Sequence, residues 1–121
     1  MQQIEGLIKK SWGYEILWAQ NEKYCGKIIV FEKNGSRIPM HFHKEKDKSW
    51  FVNSGKFLLR YIDTKNARII EKVLSEGETF QILPLVPHQI ESMNANAMIF
   101  EVSTGISGED FYQISPDNKK E

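Results

Sequence analysis

The ten residues His41–Trp50, HFHKEKDKSW, hold the most reactive pairing in the chain. In a β-strand, residues two apart point to the same face, so His41 and His43 project together with Phe42 opposite. At ~3.3 Å per residue they stand roughly 6.6 Å apart along the strand, close enough for two imidazoles to converge on one ion. A third donor has to come from another strand. The remaining histidine, His88, ends ILPLVPH, a proline-bearing turn that feeds a further strand. Three neutral imidazoles are ligands for Zn, Fe, Mn or Ni, with open positions left to water or substrate. The chain carries no Gly-rich phosphate loop, Cys-x-x-Cys pair or Ser/Cys nucleophile motif.

The elements that must position these side chains read as short strands. KIIVFEK, KSWFVNSG, KFLLRYID, ARIIEKVL, TFQIL, HQIES and AMIFEVS are rich in β-branched and aromatic residues, and several alternate apolar with polar. Asn34-Gly35, Asn53-Ser54-Gly55, Asp63 to Asn66, Ser75-Glu76-Gly77 and Met93 to Asn96 punctuate them as turns. That spacing predicts an antiparallel sandwich or barrel. Pro39, just before Met40, suits a strand edge better than a central strand. Residues 48, 50 and 52 share one face, so Lys48 is expected to lean inward with Trp50 and Val52, and Asp47 outward.

At 121 residues the chain has room for one domain and one sizeable core without disulfides. Sixteen basic and sixteen acidic side chains cancel, which argues against nucleic acid or an anionic membrane as partner. Cys25 is the sole cysteine and reads as a structural thiol in a reducing compartment. MQQIEGLIKK lacks an apolar signal core, and a cytoplasmic location is the expectation. Residues 1–115 are expected to form the domain, opened by an N-terminal strand extension, with 116–121 a flexible tail. Trp18 is assigned to core or interface packing, whereas Trp12 with Gly13 fits either a pocket or a structural hairpin.

Two stretches carry a family resemblance. Gly35 to Gly55, GSRIPMHFHKEKDKSWFVNSG, resembles the first motif of the cupin superfamily: Gly, five residues, His-x-His, three or four residues, Glu, six residues, Gly. Gly77 to Ser92, GETFQILPLVPHQIES, resembles the second, with His88 in the histidine position. The resemblance implies an all-β fold, a single small antiparallel jelly-roll-like β-barrel, with a metal in its mouth on three histidines and one glutamate. Carried over, His41, His43 and His88 match the histidine ligands, and Lys48 falls where the glutamate would be. A homodimer is expected by the same analogy.

A closer resemblance is to the cupin domain of type II phosphomannose isomerases, often fused to mannose-1-phosphate guanylyltransferases. KSWGYEIL, KYCGKIIVFEKNGSRIPMHFH, DKSWFVNSGK and IFEVSTGISGEDFYQISPD follow its segments over roughly Lys10 to Asp117. The chain departs from that pattern at Ser11 for proline, Lys48 for glutamate, Leu85 for glycine, Gln89 for arginine and Ser92 for asparagine, and it ends in NKKE. The resemblance implies an aldose–ketose isomerase acting on a sugar or sugar phosphate. Lys48 is then the candidate base, and Trp50 and Gln89 the candidate substrate contacts.

A protonated lysine ~4 Å from a divalent ion is repelled by roughly 8 kcal/mol at an effective dielectric of 20. Three outcomes follow. The three imidazoles hold the ion more weakly by themselves; a carboxylate is recruited, with Asp47, Glu45 and Glu91 the candidates by position; or the pocket is metal-free and binds an anion. Weakened metal binding is the expectation, because all three histidines keep motif spacing. The functional alternatives are a non-catalytic cupin that binds a sugar or small acid, and a three-histidine oxygenase or epimerase.

Overall fold

The computed structural model describes residues 6–105 and 110–114. Eleven strands run in the order β1 (Leu7–Lys10), β2 (Gly13–Gln20), β3 (Cys25–Phe31), β4 (Arg37–Phe42), β5 (Lys48–Ser54), β6 (Phe57–Asp63), β7 (Arg68–Leu74), β8 (Thr79–Ile82), β9 (His88–Ser92), β10 (Ala97–Ser103) and β11 (Tyr112–Gln113). They form two antiparallel sheets, one ordered β1-β2-β3-β10-β5-β8 and the other β11-β4-β9-β6-β7. No helix among the described residues is long and apolar enough to cross a membrane. The tail expected at 116–121 lies outside the described residues.

Alternation builds the core between the sheets. β5 buries Lys48, Trp50 and Val52 and exposes Ser49, Phe51 and Asn53. β10 buries Ala97, Ile99, Glu101 and Ser103, and β9 buries His88, Ile90 and Ser92. Phe31, Val52, Phe57, Leu59, Leu74, Ile90 and Ile99 are almost wholly buried. Phe31 links Trp12 (ring centroids 5.1 Å, stacked) to Phe57 (5.1 Å, edge-on). Pro39 sits in β4 where the β4–β9 register shifts between Ile38 and His41, and β11 pairs β4 only further along, at His41 and Phe42. A bulge accommodates a residue with no N–H to donate.

Two local features answer to sequence. Gly55 ends β5 with φ 83°, and a Cβ there would meet Ala97 Cβ at 2.8 Å, so both conformation and space require glycine. Leu85, where the resembled family has glycine, has φ 70°. Its N–H donates to the His43 carbonyl at 2.7 Å, tying the turn before β9 to the end of β4. A leucine held in the left-handed region at that contact costs about 1–2 kcal/mol.

Candidate metal centre

His41 lies near the end of β4, His43 directly follows that strand, and His88 takes the first position of β9, where it pairs directly with His41. The three side chains are buried, and their ligating nitrogens all lie within 4.8 Å of one another. Each ring is oriented by a backbone carbonyl that accepts from Nδ1: Pro39 for His41 (2.7 Å), Asp110 for His43 (2.5 Å) and Val86 for His88 (2.8 Å). A carbonyl only accepts, so each Nδ1 carries the proton and each Nε2 presents its lone pair. That arrangement is how proteins prepare histidine for a metal. Nε2 of His88 is buried and has no hydrogen-bond partner, as expected for a lone pair kept for an ion. The donor set therefore fits Zn, Fe, Mn or Ni.

Burial disfavours the imidazolium and, with the nearby Lys48 charge, lowers His41 to about 2 and His43 to about 4. The same two causes hold His88 well below the ordinary histidine range. The rings are thus in the ligating, neutral form at neutral pH.

Lys48 reaches this cluster at His43. Its Nζ donates to Nε2 of His43 at 3.1 Å and lies 3.9 Å from Oε1 of Glu101. Burial lowers the Lys48 pKa, and Glu101 works against that shift. Glu101 is itself buried, which would raise its pKa. Lys48, Lys27 and a 2.8 Å hydrogen bond from Trp50 Nε1 outweigh the burial and hold the carboxylate below its ordinary value.

The inward carboxylate is thus Glu101, not one of the three expected by position. Glu45 is exposed, Asp47 accepts from Gln81 on the outer surface, and Glu91 pairs with Arg60 at 3.6 Å on the far side of its strand. Glu101 was legible: counting by twos from Ala97 and Ile99 in AMIFEVS puts it on the core face. The apolar Phe100 and Val102 on either side hid that parity.

A cavity of about 600 Å³ opens from the histidines between the sheets. Its lining includes His41, His43, Lys48, Trp50 and Glu101, together with Trp12, Glu15, Lys27 and Lys46. Lys27 pairs with Glu15 at 3.2 Å, and Lys46 Nζ donates to the Thr104 carbonyl at 3.1 Å. Four lysines, with Lys10, face two glutamates across this space, a balance that favours an anionic guest. Trp50 reaches the cavity, but its ring is 3% exposed and edge-on to His88 at 5.8 Å. Gln89, expected to touch substrate, does not come to the cavity. It follows His88 on β9, and alternation turns it to the opposite face beside Arg60.

Sequence reasoning missed the segment of Asp110 and Phe111 beside the histidines. Phe111 stacks on His41 (centroids 4.4 Å, 19°). The Asp110 carboxylate accepts backbone N–H groups of Lys44 (2.7 Å), Glu45 (2.7 Å) and Lys46 (3.1 Å). Its slight burial would raise its pKa, but these hydrogen bonds lower it. One residue thus orients His43 through its carbonyl and holds the turn after it through its side chain. In Asp110→Ala the chain is expected to lose about 1–2 kcal/mol of stability in urea denaturation and roughly tenfold in Zn affinity. Unchanged values on both measurements would remove Asp110 from this role.

Comparison with known proteins places the arrangement. A family model described as Cupin matches residues 21–111. No curated protein sequence matches the chain. Among solved structures, KdgF from Halomonas sp. is similar with a TM-score of 0.69 and 14% identity, over 79% of this chain and 81% of that one. Bacillus subtilis oxalate decarboxylase at pH 4.6 is similar with a TM-score of 0.77 and 19% identity, over 93% of this chain. A mutant of the same enzyme, OxdC, gives 0.80 and 17% over 91%. The chain spans 30% of the length of either decarboxylase structure. At these identities the likeness is one of fold.

Proposed function

Because the chain belongs to the cupin family, we propose that it is a small-molecule cupin that holds one divalent ion on His41, His43 and His88 and isomerises a sugar or sugar phosphate, with Lys48 moving the proton. The observation that carries this reading is the Lys48 amine, buried 3.1 Å from Nε2 of His43 and lining the cavity. When bound, the ion supplies Lewis-acid polarisation of a carbonyl or hydroxyl oxygen. Proton transfer between adjacent carbons needs a base near the reacting carbon with a pKa close to the working pH. Burial lowers the Lys48 amine toward that condition, and Glu101 fixes its position. Trp50 in turn holds Glu101 through its indole N–H. Lys27 and Lys46, which also line the cavity, add positive charge suited to an anionic group. The motif resemblance to type II phosphomannose isomerases supports the same substrate class, and the buried free Cys25 suits the reducing cytoplasm.

A second reading has its own observation. Lys48 stands where the resembled motif has a glutamate ligand, and its contact with His43 competes with an ion. On that reading the chain binds a small acid or sugar without turning it over.

Protein purified without chelator is expected to carry a divalent metal and to interconvert mannose 6-phosphate and fructose 6-phosphate. Lys48→Ala should lower kcat by about 10²-fold or more while the metal stays bound. Metal-loaded protein that binds the sugar phosphate but does not convert it would establish the binding module instead. Less than a tenth of an equivalent of metal would count against the metal-dependent isomerase.

A further inference from the structure

We infer that Lys48 has a second, covalent use: its amine condenses with the carbonyl of a small aldehyde or ketone that bears an anionic group, forming an imine without a metal.

A lysine buried for structural reasons is tied down by carboxylates or carbonyls within hydrogen-bond reach. The other lysines of the cavity fit that description or reach water. Lys27 pairs with Glu15 at 3.2 Å, Lys46 Nζ donates to the Thr104 carbonyl at 3.1 Å, and Lys10 is exposed at the end of β1. Lys48 differs. It is buried, yet its one hydrogen bond among the described residues goes to Nε2 of His43 at 3.1 Å. That partner is an imidazole nitrogen offering only a lone pair, because the Nδ1 proton of His43 is given to the Asp110 carbonyl. Glu101 Oε1 stands 3.9 Å from Nζ, beyond hydrogen-bond distance, and already accepts the Trp50 indole N–H at 2.8 Å.

The surroundings are those of a nucleophile. Lysines that attack carbonyls sit in apolar pockets or beside other cations. Both conditions hold here: the Trp50 ring lies 5.4 Å from Nζ, and Lys27 and Lys46 line the same cavity. At about 600 Å³ that cavity has room for a small carbonyl compound against the amine. His43 accepts one N–H and so fixes the direction of the amine.

The step balances with no oxidant or reductant. The Nζ lone pair bonds to the carbonyl carbon, and the π pair of C=O moves to oxygen. Two protons then pass in turn from nitrogen to that oxygen. The C–O bond breaks, water leaves, and C=N remains. Glu101, 3.9 Å from Nζ, is placed to carry those protons from nitrogen to the departing oxygen.

Charge sets the class of guest. Apart from the reacting amine, the lining holds Lys10, Lys27 and Lys46 against Glu15 and Glu101. An anionic group on the guest therefore meets a surplus of positive charge.

Reductive trapping tests this in chelator, so the result is independent of the metal-dependent isomerisation proposed above. The full chain is incubated with pyruvate and cyanoborohydride, weighed by intact-mass spectrometry and mapped by digestion. One reduced adduct per chain is expected, on Lys48, formed at least about tenfold faster than any on the exposed Lys9, Lys44 or Lys72. Acetone, a ketone without the charge, should label Lys48 at least about tenfold more slowly. Lys48→Met should lose the adduct and keep the native circular dichroism. Should that variant fail to fold, the native chain is mapped with and without urea. Lys48 should then stand out in the folded form and match the other lysines once unfolded. No adduct on the folded chain, labelling confined to exposed lysines, an adduct kept by folded Lys48→Met, or acetone trapped as fast as pyruvate would each overturn the inference.

Discussion

Lys48→Glu should bind Zn more tightly than the native chain, by about two orders of magnitude or more in a chelator-competition titration at pH 7. Two electrostatic effects act together. Removing the ammonium relieves a repulsion of roughly 8 kcal/mol at ~4 Å and an effective dielectric of 20. The native chain already offsets part of that repulsion, because Glu101 stands 3.9 Å from Lys48 Nζ and is 7% exposed. The net gain is therefore a fraction of the bare figure, on the order of 3–4 kcal/mol, or a few hundredfold. The substitution also supplies a carboxylate where three imidazoles converge. Without metal, the new carboxylate and Glu101 share one buried region, so the variant apoprotein should be the less stable form and gain the larger rise in Tm on adding Zn. Lys48→Met, which removes the charge and adds no ligand, should fall between the two. Equal or lower affinity in Lys48→Glu would show that Lys48 does not control the metal position.

The metal-free protein should lose stability steeply in mild acid. His41 and His43 are lowered to about 2 and about 4, and His88 is held well below its ordinary value, chiefly by burial and then by Lys48. Unfolded histidines titrate near 6.5. Below that pH the unfolded chain binds protons that the folded chain refuses, so stability rises with pH across the window and falls as pH drops through it. Each histidine contributes a slope of about 1.4 kcal/mol per pH unit, and three together about 4. A domain near the low end of the ordinary 5–15 kcal/mol is then exhausted by about pH 5, and one of about 10 kcal/mol by about pH 4. Glu101 and Asp110 have lowered pKa values and withdraw their contributions at more acidic pH, below the ordinary carboxylate range. Urea midpoints measured in chelator between pH 7 and pH 4.5 test this. A flat profile would mean that the histidines are not buried in neutral form.

Both results depend on the same few side chains, and those were unequally visible in the amino-acid order. Strand periodicity is local: whether residue i+2 faces residue i depends only on the pleat. The strands from KIIVFEK to AMIFEVS, the shared face of His41 and His43, and the inward turn of Lys48 with Trp50 and Val52 could therefore be read before any fold was known. Motif spacing extended that to His88, because the barrel pairs β9 with β4.

Pairing across the sheets is not local, and it decided the rest. Which carboxylate meets Lys48 depends on β10 lying beside β5, so Glu101 became the partner while Asp47, Glu45 and Glu91 faced elsewhere. The Asp110 carbonyl became a ring-orienting acceptor only when its distant segment met His43, whereas the Pro39 and Val86 carbonyls orient histidines two residues further along their own segments. Gln89 left the site by the same alternation that kept His88 in it. Local sterics determine which way a side chain points from its strand, but its neighbours are set by how the whole barrel closes.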